Sequence, residues 1–411
     1  MRKLFAFFLS IALLVGCLGL GIQAAPADPG LHFKRDGAFK IIQVADMQEF
    51  VLSSKITRDF LYDLAARERP DLFVLTGDNI HCRTADYLPG RIGRALIKSS
   101  IDGYMNVFDR IYDEFGTRVT MVYGNHDNEA MKAITKAEQF ALYAAHRSFA
   151  GRYVPAADAG TSDEQGQHYG THNLLIRNSE ATPVFGLWMF DSGSYNPRGG
   201  ASCVQKPQID WFNATNEATE KLPSLAFQHL PVADVYDFFT PAREGESGSV
   251  TAGFVDEQGN PYKKTISQIL PPGIKGELTW APGGGHFNEG QLAALDEAGN
   301  VLALFWGHNH NCTYEIQRPG KTDLVNSTST GFGSYGDAHK RGARVIVLDE
   351  SDLSTYETYI VHYQGFYGDG WLRQKRVEMF SALRSWANIF DVLFFRPLLW
   401  LTKLFEKIAK R

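Results

Sequence analysis

The chain has 411 residues, of which 44% are hydrophobic and 13% aromatic, and its formal net charge is −5 at pH 7. This length and apolar content suffice to bury a large core, in either one large domain or two. The mild negative charge argues against a nucleic-acid scaffold, because such proteins usually carry a basic surface.

The first 25 residues have the features of a secretory signal peptide. Two basic residues precede an apolar run over residues 4–20, and small residues follow at 24 and 25. A second interpretation is also open, because Leu14-Val15-Gly16-Cys17 fits a bacterial lipobox in which Cys17 would be lipidated. Both interpretations predict an exported protein that is secreted, periplasmic or lumenal.

Export would place Cys82, Cys203 and Cys312 in an oxidising compartment, where one disulfide is allowed. Cys82 and Cys312 each lie close in sequence to a predicted metal ligand, so these two are candidates for a bridge. The sequence alone leaves the pairing open.

The elements predicted in chain order alternate between strands and helices. The first half reads as strands at 38–44, 72–75 and 119–123 and helices near 56–64, 90–115 and 131–149. The second half reads as strands at 173–176, 184–190, 224–227, 301–305, near 324, 345–348 and 356–362, with a helix at 205–221. This order indicates an α/β fold with polar residues at strand ends.

Two segments stand apart from this pattern. Residues 240–285 are rich in Gly, Glu, Pro and Ser, which predicts a surface insertion at the rim of a pocket. Residues 373–411 form a basic tail, in which apolar residues recur at helical spacing from Met379 to Leu393. Such a basic amphipathic helix can contact an anionic membrane surface, and the alternatives are packing against the domain or a dimer contact.

Polar residues that can bind metals follow five predicted strands. They are Asp46, Asp78, Asn125, His229 and the pair His308 and His310. Carboxylate, amide oxygen and imidazole are ligands that suit Fe, Mn and Zn. A carboxylate has two oxygens and can contact two cations, so Asp78 is our candidate for a bridging ligand.

These motifs, in this order, resemble the metallophosphoesterase (calcineurin-like) superfamily and, within it, the short single-domain purple-acid-phosphatase-like proteins. The motifs are Gln43-Val44-Ala45-Asp46, Gly77-Asp78-Asn79, Gly124-Asn125-His126-Asp127, Gln228-His229-Leu230-Pro231 and Gly307-His308-Asn309-His310. The stretches 191–195 and 331–336 also look like that subgroup. The resemblance implies a four-layer α/β/β/α sandwich of two mixed sheets over residues 30–370.

The resemblance also implies a site with two metal ions, each Fe, Mn or Zn. Asp46, Asp78 and His310 would hold the first ion, and Asp78, Asn125, His229 and His308 the second. His126 would protonate the leaving group or steady the phosphate, with Asp127 orienting its ring and Asn125 also near substrate.

The implied reaction is hydrolysis of a phosphate monoester by a metal-activated hydroxide. The expected substrate is a phosphorylated small molecule or a phosphoprotein. Phosphodiester hydrolysis is the alternative within the same fold.

One motif departs from the superfamily pattern, because Gln48 stands where Asp-x-His would supply an imidazole ligand. We propose His81, three residues after Asp78, as the replacement ligand; the alternatives are Gln48 binding through its amide oxygen, or a solvated His81. A weakened first site would leave a phosphate-ligand binder with reduced catalysis. His286 and His339 follow glycine-rich stretches and are further candidates for contact with substrate phosphate.

Overall fold

The structure is a computed structural model that describes residues 30–409 apart from 35, 51–52, 151–169, 196–199, 244, 253–265, 285–286 and 384–385. The predicted signal peptide, the lipobox at Cys17 and the candidate His286 lie outside the described residues. The described residues from Leu31 onwards belong to one compact unit.

In chain order, the strands are Leu31–His32 (β1), Ala38–Val44 (β2), Leu72–Thr76 (β3), Arg118–Val122 (β4), His172–Arg177 (β5), Pro183–Met189 (β6), Ser224–Phe227 (β7), Thr240–Ala242 (β8), Val250–Ala252 (β9), Ile266–Ile269 (β10), Val301–Trp306 (β11), Glu315–Ile316 (β12), Asp323–Asn326 (β13), Gly342–Asp349 (β14) and Asp352–His362 (β15). The α-helices are Lys55–Glu68 (α1), Gly90–Phe115 (α2), Lys136–Ala144 (α3), Lys206–Ala218 (α4), Gln291–Ala298 (α5), Tyr363–Tyr367 (α6), Trp371–Leu383 (α7), Ala387–Phe390 (α8) and Arg396–Ala409 (α9).

Two mixed sheets form the centre of the described part of the chain. The first has the order β15-β14-β2-β3-β4, and the second has the order β1-β5-β6-β7-β11-β13-β12. In the first, β2, β3 and β4 are parallel, so their carboxyl ends lie at one edge. In the second sheet, β6, β7 and β11 are likewise parallel. The loops that follow β7 and β11 therefore begin at the same edge of the sheet.

The two sheets pack face to face through an apolar layer. Side chains of both contribute to it, among them Ile41, Val74, Leu187, Leu225 and Phe305. All five side chains of β3 are buried, as expected for a strand in a parallel set that is covered on both faces.

Helices cover the outer face of each sheet. Phe60 of α1 and Phe108 of α2 pack with Phe73 of the first sheet, and Phe212 of α4 and Leu295 of α5 pack in the cluster that covers the second. The order of layers is therefore α/β/β/α, which confirms the predicted fold.

One helix is shorter than predicted. The sequence predicts a helix over 131–149, but α3 spans Lys136–Ala144. Thr135 accepts from the backbone N–H of Glu138 while the Glu138 carboxylate accepts from that of Thr135, so this capping box fixes the start of the helix. Before this helix, the chain forms a separate 3-10 turn over His126–Asn128.

The insertion at 240–285 contains structure that its polar composition does not indicate. Strands β8, β10 and β9 pair there in a small antiparallel sheet. Its end reaches the predicted site, because the carbonyl oxygens of Trp280 and Ala281 accept hydrogen bonds from the Asn309 side chain. The end of the insertion therefore lies beside the motif that carries His308 and His310.

The disulfide considered between Cys82 and Cys312 is not formed, since the described cysteines Cys82, Cys203 and Cys312 are all free thiols. The Cys82 thiol donates to the carbonyl of His126 at 3.2 Å, and that of Cys312 to the carbonyl of Trp280 at 3.5 Å. Each thiol has its own local partner, so neither side chain is directed at the other.

The tail continues from the domain as α7, α8, a π-helical turn over Asp391–Phe395, and α9. The first part of the tail packs against the domain. Its residues Val377, Phe380 and Ala387 are buried in the same apolar cluster as Phe60 of α1 and Phe108 of α2. No helix in the described residues combines the length and apolar character needed to span a bilayer.

Candidate metal centre

The residues predicted at five strand ends lie together in the structure. Ligand atoms of Asp46, Asp78 and His310 all lie within 4.8 Å of one another, as do those of Asp78, His229 and His308. Asp78 belongs to both groups and thus has the position of a bridging ligand.

The distances between individual ligand atoms are short. Asp46 Oδ1 lies 3.2 Å from His310 Nε2, and Asp78 Oδ2 lies 3.3 Å from His229 Nε2. His229 Nε2 is also 3.1 Å from Asn125 Oδ1 and 3.3 Å from His308 Nδ1. Four donors therefore surround the second position, in agreement with the predicted set.

Backbone carbonyls orient two of the imidazoles. His229 Nδ1 lies 2.9 Å from the carbonyl oxygen of Thr76, and His310 Nδ1 lies 2.7 Å from that of Tyr335. Nδ1 donates in each pair, which leaves the lone pair on Nε2 directed into the centre. Histidines that bind metals usually have such a partner on their other ring nitrogen.

One buried oxygen in the centre lacks a hydrogen-bond donor. Asp46 is fully buried, and its Oδ1 accepts no hydrogen bond. Most buried acceptors are satisfied, so an unsatisfied carboxylate oxygen 3.2 Å from the lone pair of His310 Nε2 fits a bound cation. The donor set and this orphaned atom fit a pair of bound metal ions.

Strained backbone positions these ligands. Four residues of the site have positive φ angles, a backbone conformation that residues other than glycine seldom adopt. They are Asp46 (53°), Gln48 (48°), Asp78 (50°) and His308 (65°). Gly124 is required for close approach, because a Cβ there would lie 2.2 Å from the backbone nitrogen and Oδ1 of Asp78. The surrounding fold holds these residues in conformations that serve the site.

The carboxylates of the centre and His229 stabilise one another's charged forms, whereas His308 favours its neutral form. Burial would raise the pKa of the Asp78 carboxyl, but the adjacent His229 and His126 outweigh burial and hold its pKa below the ordinary value. Burial would lower the pKa of His229, yet Asp78 and Asp46 raise it to about 9. Burial and His229 together lower the pKa of His308 to about 4. Positive charge is thus favoured between the carboxylates, where metal cations would supply it.

His126 lies at the open side of the centre, with Nε2 3.8 Å from Asp78 Oδ2. Its Nδ1 lies 2.9 Å from Glu129 Oε1. Burial would lower the pKa of His126, but Glu129 and Asp78 outweigh it and raise the pKa. His126 is therefore a partly exposed imidazole that favours the protonated form, as its predicted role requires.

The role predicted for Asp127 is wrong. Its carboxylate does not contact the His126 ring; it accepts from the backbone N–H groups of Gly124 at 2.8 Å, Ile80 at 3.0 Å and Asn79 at 3.2 Å. Burial and the nearby Asp78 raise the pKa of Asp127 to about 7. Asp127 thus holds two loops together, and Glu129 is the acidic residue at the ring.

His81 is not at the first metal position. It lies on the His126 side, with its ring centroid 5.1 Å from that of His126 and Nε2 3.7 Å from Glu129 Oε2. The backbone N–H of His81 donates to the Glu49 carbonyl at 3.2 Å, which holds the loop away from His310. The ligand proposed from sequence therefore lies beside His126 and Glu129 instead.

Gln48, the other residue considered in place of the missing imidazole, lies against Asp78. Its side chain is 3% exposed, and its amide Nε2 donates to Asp78 Oδ2 at 3.0 Å. The amide thus contacts the bridging carboxylate directly, and rotation of its terminal group by a half-turn would present the oxygen instead. Gln48 therefore stays a candidate ligand for the first position, as the alternative from the sequence has it.

Three further residues contact the centre without having been assigned a role from sequence. The Tyr195 hydroxyl accepts from Asn125 Nδ2 at 2.9 Å, and the Tyr335 ring stacks on His310 with centroids 4.2 Å apart. Both tyrosines lie in the stretches 191–195 and 331–336, which resemble the subgroup. Glu129 is the third, and its spacing of three from His126 was the available signal. His339 is exposed in a 3-10 turn and belongs to neither ligand group.

A two-sheet α/β/β/α fold with clustered Asp, Asn and His ligands at its strand ends defines a metallophosphoesterase. The family model described as calcineurin-like phosphoesterase matches residues 39–312, and the chain belongs to this family.

Two curated relatives from Arabidopsis thaliana are similar over most of the chain. Probable inactive purple acid phosphatase 14 is 26% identical over 377 residues, covering 82% of this chain and 81% of the relative. Probable inactive purple acid phosphatase 29 is 25% identical over 393 residues, covering 85% and 87%. Among solved structures, a dimetal phosphatase from Danio rerio aligns with a TM-score of 0.44 and 14% identity, covering 79% of this chain and 99% of that one.

Proposed function

We propose that the protein is a phosphomonoesterase that uses two metal ions, each Fe, Mn or Zn. The observation that carries this proposal is the pair of ligand groups that share Asp78, with His126 beside them at the open side. Membership in a phosphoesterase family supports the hydrolysis of phosphoric esters.

Each group in the centre has a defined part in this reaction. Asp46, Asp78, His310 and Gln48 would hold the first cation, and Asp78, Asn125, His229 and His308 the second. When bound, the two cations supply Lewis acidity that activates water and offsets the charge of the phosphoryl oxygens.

His126 carries the proton that the leaving oxygen needs. Glu129 stabilises the imidazolium from the Nδ1 side, so the proton on Nε2 is directed towards the ligand groups. General acid catalysis of this kind contributes about 10² to 10⁴ in rate. Asn125 is fixed by its hydrogen bond to Tyr195, which keeps its Oδ1 facing His229.

The preference for a monoester is supported by the imidazoles at the open side. The rings of His81 and His126 lie 5.1 Å apart there, and both can offset the second negative charge that a monoester carries and a diester lacks. Substrates would be phosphorylated small molecules or phosphoproteins. Export through the first 25 residues belongs to the same proposal.

A second candidate is a phosphate-ligand binder with reduced turnover, and Gln48 favours it. An amide oxygen is a weaker ligand than imidazole for Zn and Fe. The curated relatives are themselves named as probable inactive phosphatases, in agreement with this candidate.

The two candidates differ in turnover. The chain is loaded with Mn, Zn or Fe, its metal content is measured, and hydrolysis of p-nitrophenyl phosphate and bis(p-nitrophenyl) phosphate is assayed. The monoesterase proposal expects two metals per chain and faster monoester hydrolysis. Asp46→Asn should abolish it, while Asp210→Asn, at an exposed ion pair on α4, should not.

Other results reject the monoesterase. Faster cleavage of the diester identifies a phosphodiesterase. Bound metal and phosphate without hydrolysis of either ester identifies the binder, and absence of metal after loading contradicts both candidates.

A further inference from the structure

The last helix of the tail has an apolar face that is exposed to solvent. Residues Leu398, Leu401, Leu404, Phe405 and Ile408 of α9 have between 37% and 65% of their surface exposed. At 3.6 residues per turn these five lie on one side of the helix. We call this side the tail face.

The opposite side of α9 lines a cavity. A cavity of about 710 Å³ lies between the tail and helices α1 and α2, and α9 contributes Arg396, Leu399, Trp400 and Lys403 to its wall. None of the tail-face residues lines it. The side of the helix that carries Arg396 and Lys403 thus faces the domain, and the tail face is directed away from it. We call this space the junction cavity.

The wall of the junction cavity is strongly cationic. Seven lysine or arginine residues and two aspartates are among the described residues that line it. Arg376 and Arg396 form ion pairs with Asp391 and with Asp59. These pairs attach the tail to α1 without using the tail face.

Three of the cations form no ion pair with the residues that the structure describes. They are Arg58 on α1, Arg373 on α7 and Lys403 on α9, and all three line the junction cavity. A guanidinium and an ammonium in one cavity are the donors that recognise phosphate.

We propose that the junction cavity and the tail face together bind an anionic phospholipid surface. The tail face enters the boundary between headgroups and acyl chains, and the cationic side chains of the cavity wall attract the anionic headgroups. Charge complementarity selects this occupant, because a second copy of the chain would bring another cationic cavity to the same face. Amphipathic helices with basic residues bind anionic bilayers in this manner. The proposal is independent of the metal centre.

Vesicle binding by the full chain tests this proposal. Sedimentation is measured with vesicles of phosphatidylcholine alone and of an equal mixture with phosphatidylglycerol. We expect binding to the mixture only. Ile408→Glu and Phe405→Glu should each weaken it by about tenfold or more, because an apolar side chain no longer enters the lipid.

Matched controls separate the tail face from surface charge in general. Ile92 on α2 is 52% exposed, close to the 59% of Ile408, so Ile92→Glu introduces the same charge elsewhere and should not change binding. Lys403→Glu should weaken binding by about fivefold or more, since each basic residue near an anionic surface contributes about that factor. Lys206→Glu, on the exposed surface of α4, should not weaken vesicle binding.

Three results would overturn the proposal. One is the absence of wild-type binding to the mixed vesicles, and another is equal binding to both compositions. The third is an equal effect of Ile408→Glu and Ile92→Glu. If sedimentation velocity without vesicles shows a dimer that Ile408→Glu dissociates, and no vesicles are bound, the occupant is a second copy of the chain.

Discussion

His126 and Glu129 form a charge contact, with Nδ1 of the imidazole 2.9 Å from Oε1 of the carboxylate. Asp127, although adjacent in sequence to His126, directs its carboxylate at three backbone N–H groups. The residue that stabilises the imidazolium is therefore separate from the residue that joins the loops, and two substitutions distinguish them.

Glu129→Gln should lower kcat for p-nitrophenyl phosphate by about tenfold with little change in KM. The amide keeps the size of the side chain but removes the charge that stabilises protonated His126, and tenfold corresponds to about 1.4 kcal/mol. The free energy of unfolding should change little, because Glu129 does not hold the loops.

Asp127→Asn is the matched variant. It should lower the free energy of unfolding by about 1–3 kcal/mol, because buried backbone donors lose an acceptor. Urea unfolding and steady-state kinetics on both variants check the assignment. A loss of kcat in Glu129→Gln no larger than in a surface variant such as Asp210→Asn would contradict it.

Gln48→His should strengthen metal binding at the first position. The side chain contacts Asp78 and lies on a backbone with positive φ that histidine also tolerates. Imidazole is the better ligand for Zn and Fe, so with either metal we expect Kd for the weaker-bound ion to fall by about tenfold or more, or about 1.4 kcal/mol. Metal titration followed by elemental analysis measures this.

Gln48→Leu supplies the control, because leucine has a similar size and no ligand atom. It should reduce the metal content towards one per chain. If the histidine and leucine variants retain the same metal content as the wild type, Gln48 is not a neighbour of the first metal.

His81→Ala should leave the metal content at two per chain. The structure places His81 beside Glu129 and His126, whereas Asp46, Asp78 and His310 form the first ligand group. His310→Ala should remove the first metal under the same conditions. Elemental analysis of both variants decides the matter, and loss of a metal from His81→Ala would restore the ligand role predicted from the sequence.

Much of this arrangement follows from local sequence patterns. Buried strands that end in Gly, Asp, Asn or His predict where ligands lie, because the carboxyl ends of neighbouring parallel strands share an edge. Asp46, Asp78 and His310 were assigned in this way. The α/β/β/α layering was given by the resemblance, and the observed sheets confirm it.

The remaining features depend on tertiary contacts that local patterns do not encode. Asp127 is adjacent to His126, but the 3-10 turn over His126–Asn128 directs its carboxylate to the loop after β3 and brings Glu129 to the ring. His81 has the right spacing from Asp78 for a ligand, yet its backbone bond to Glu49 moves it away. Spacing along the chain does not report such loop conformations.

The attachment of the tail should depend on pH through Asp391. Burial would raise the pKa of its carboxyl, but Arg376 and Arg396 outweigh burial and hold that pKa below the ordinary value. A carboxyl with a lowered pKa in the folded state contributes stability above its unfolded pKa, which is about 3.9. That contribution is lost as the pH falls through the lower pKa of the folded state.

Asp391→Asn should therefore lower the free energy of unfolding at pH 7 by about 3–5 kcal/mol, as expected when one partner of a buried ion pair is removed. Urea unfolding of wild type and variant between pH 7 and pH 3 measures the difference. It should be constant down to about pH 5 and should shrink below about pH 4. Asp210→Asn, whose ion pair is exposed, should differ from wild type by less than about 1 kcal/mol throughout. A difference for Asp391→Asn that stayed the same at the acid end would show that the charge on Asp391 does not hold the tail, because protonation would then remove nothing.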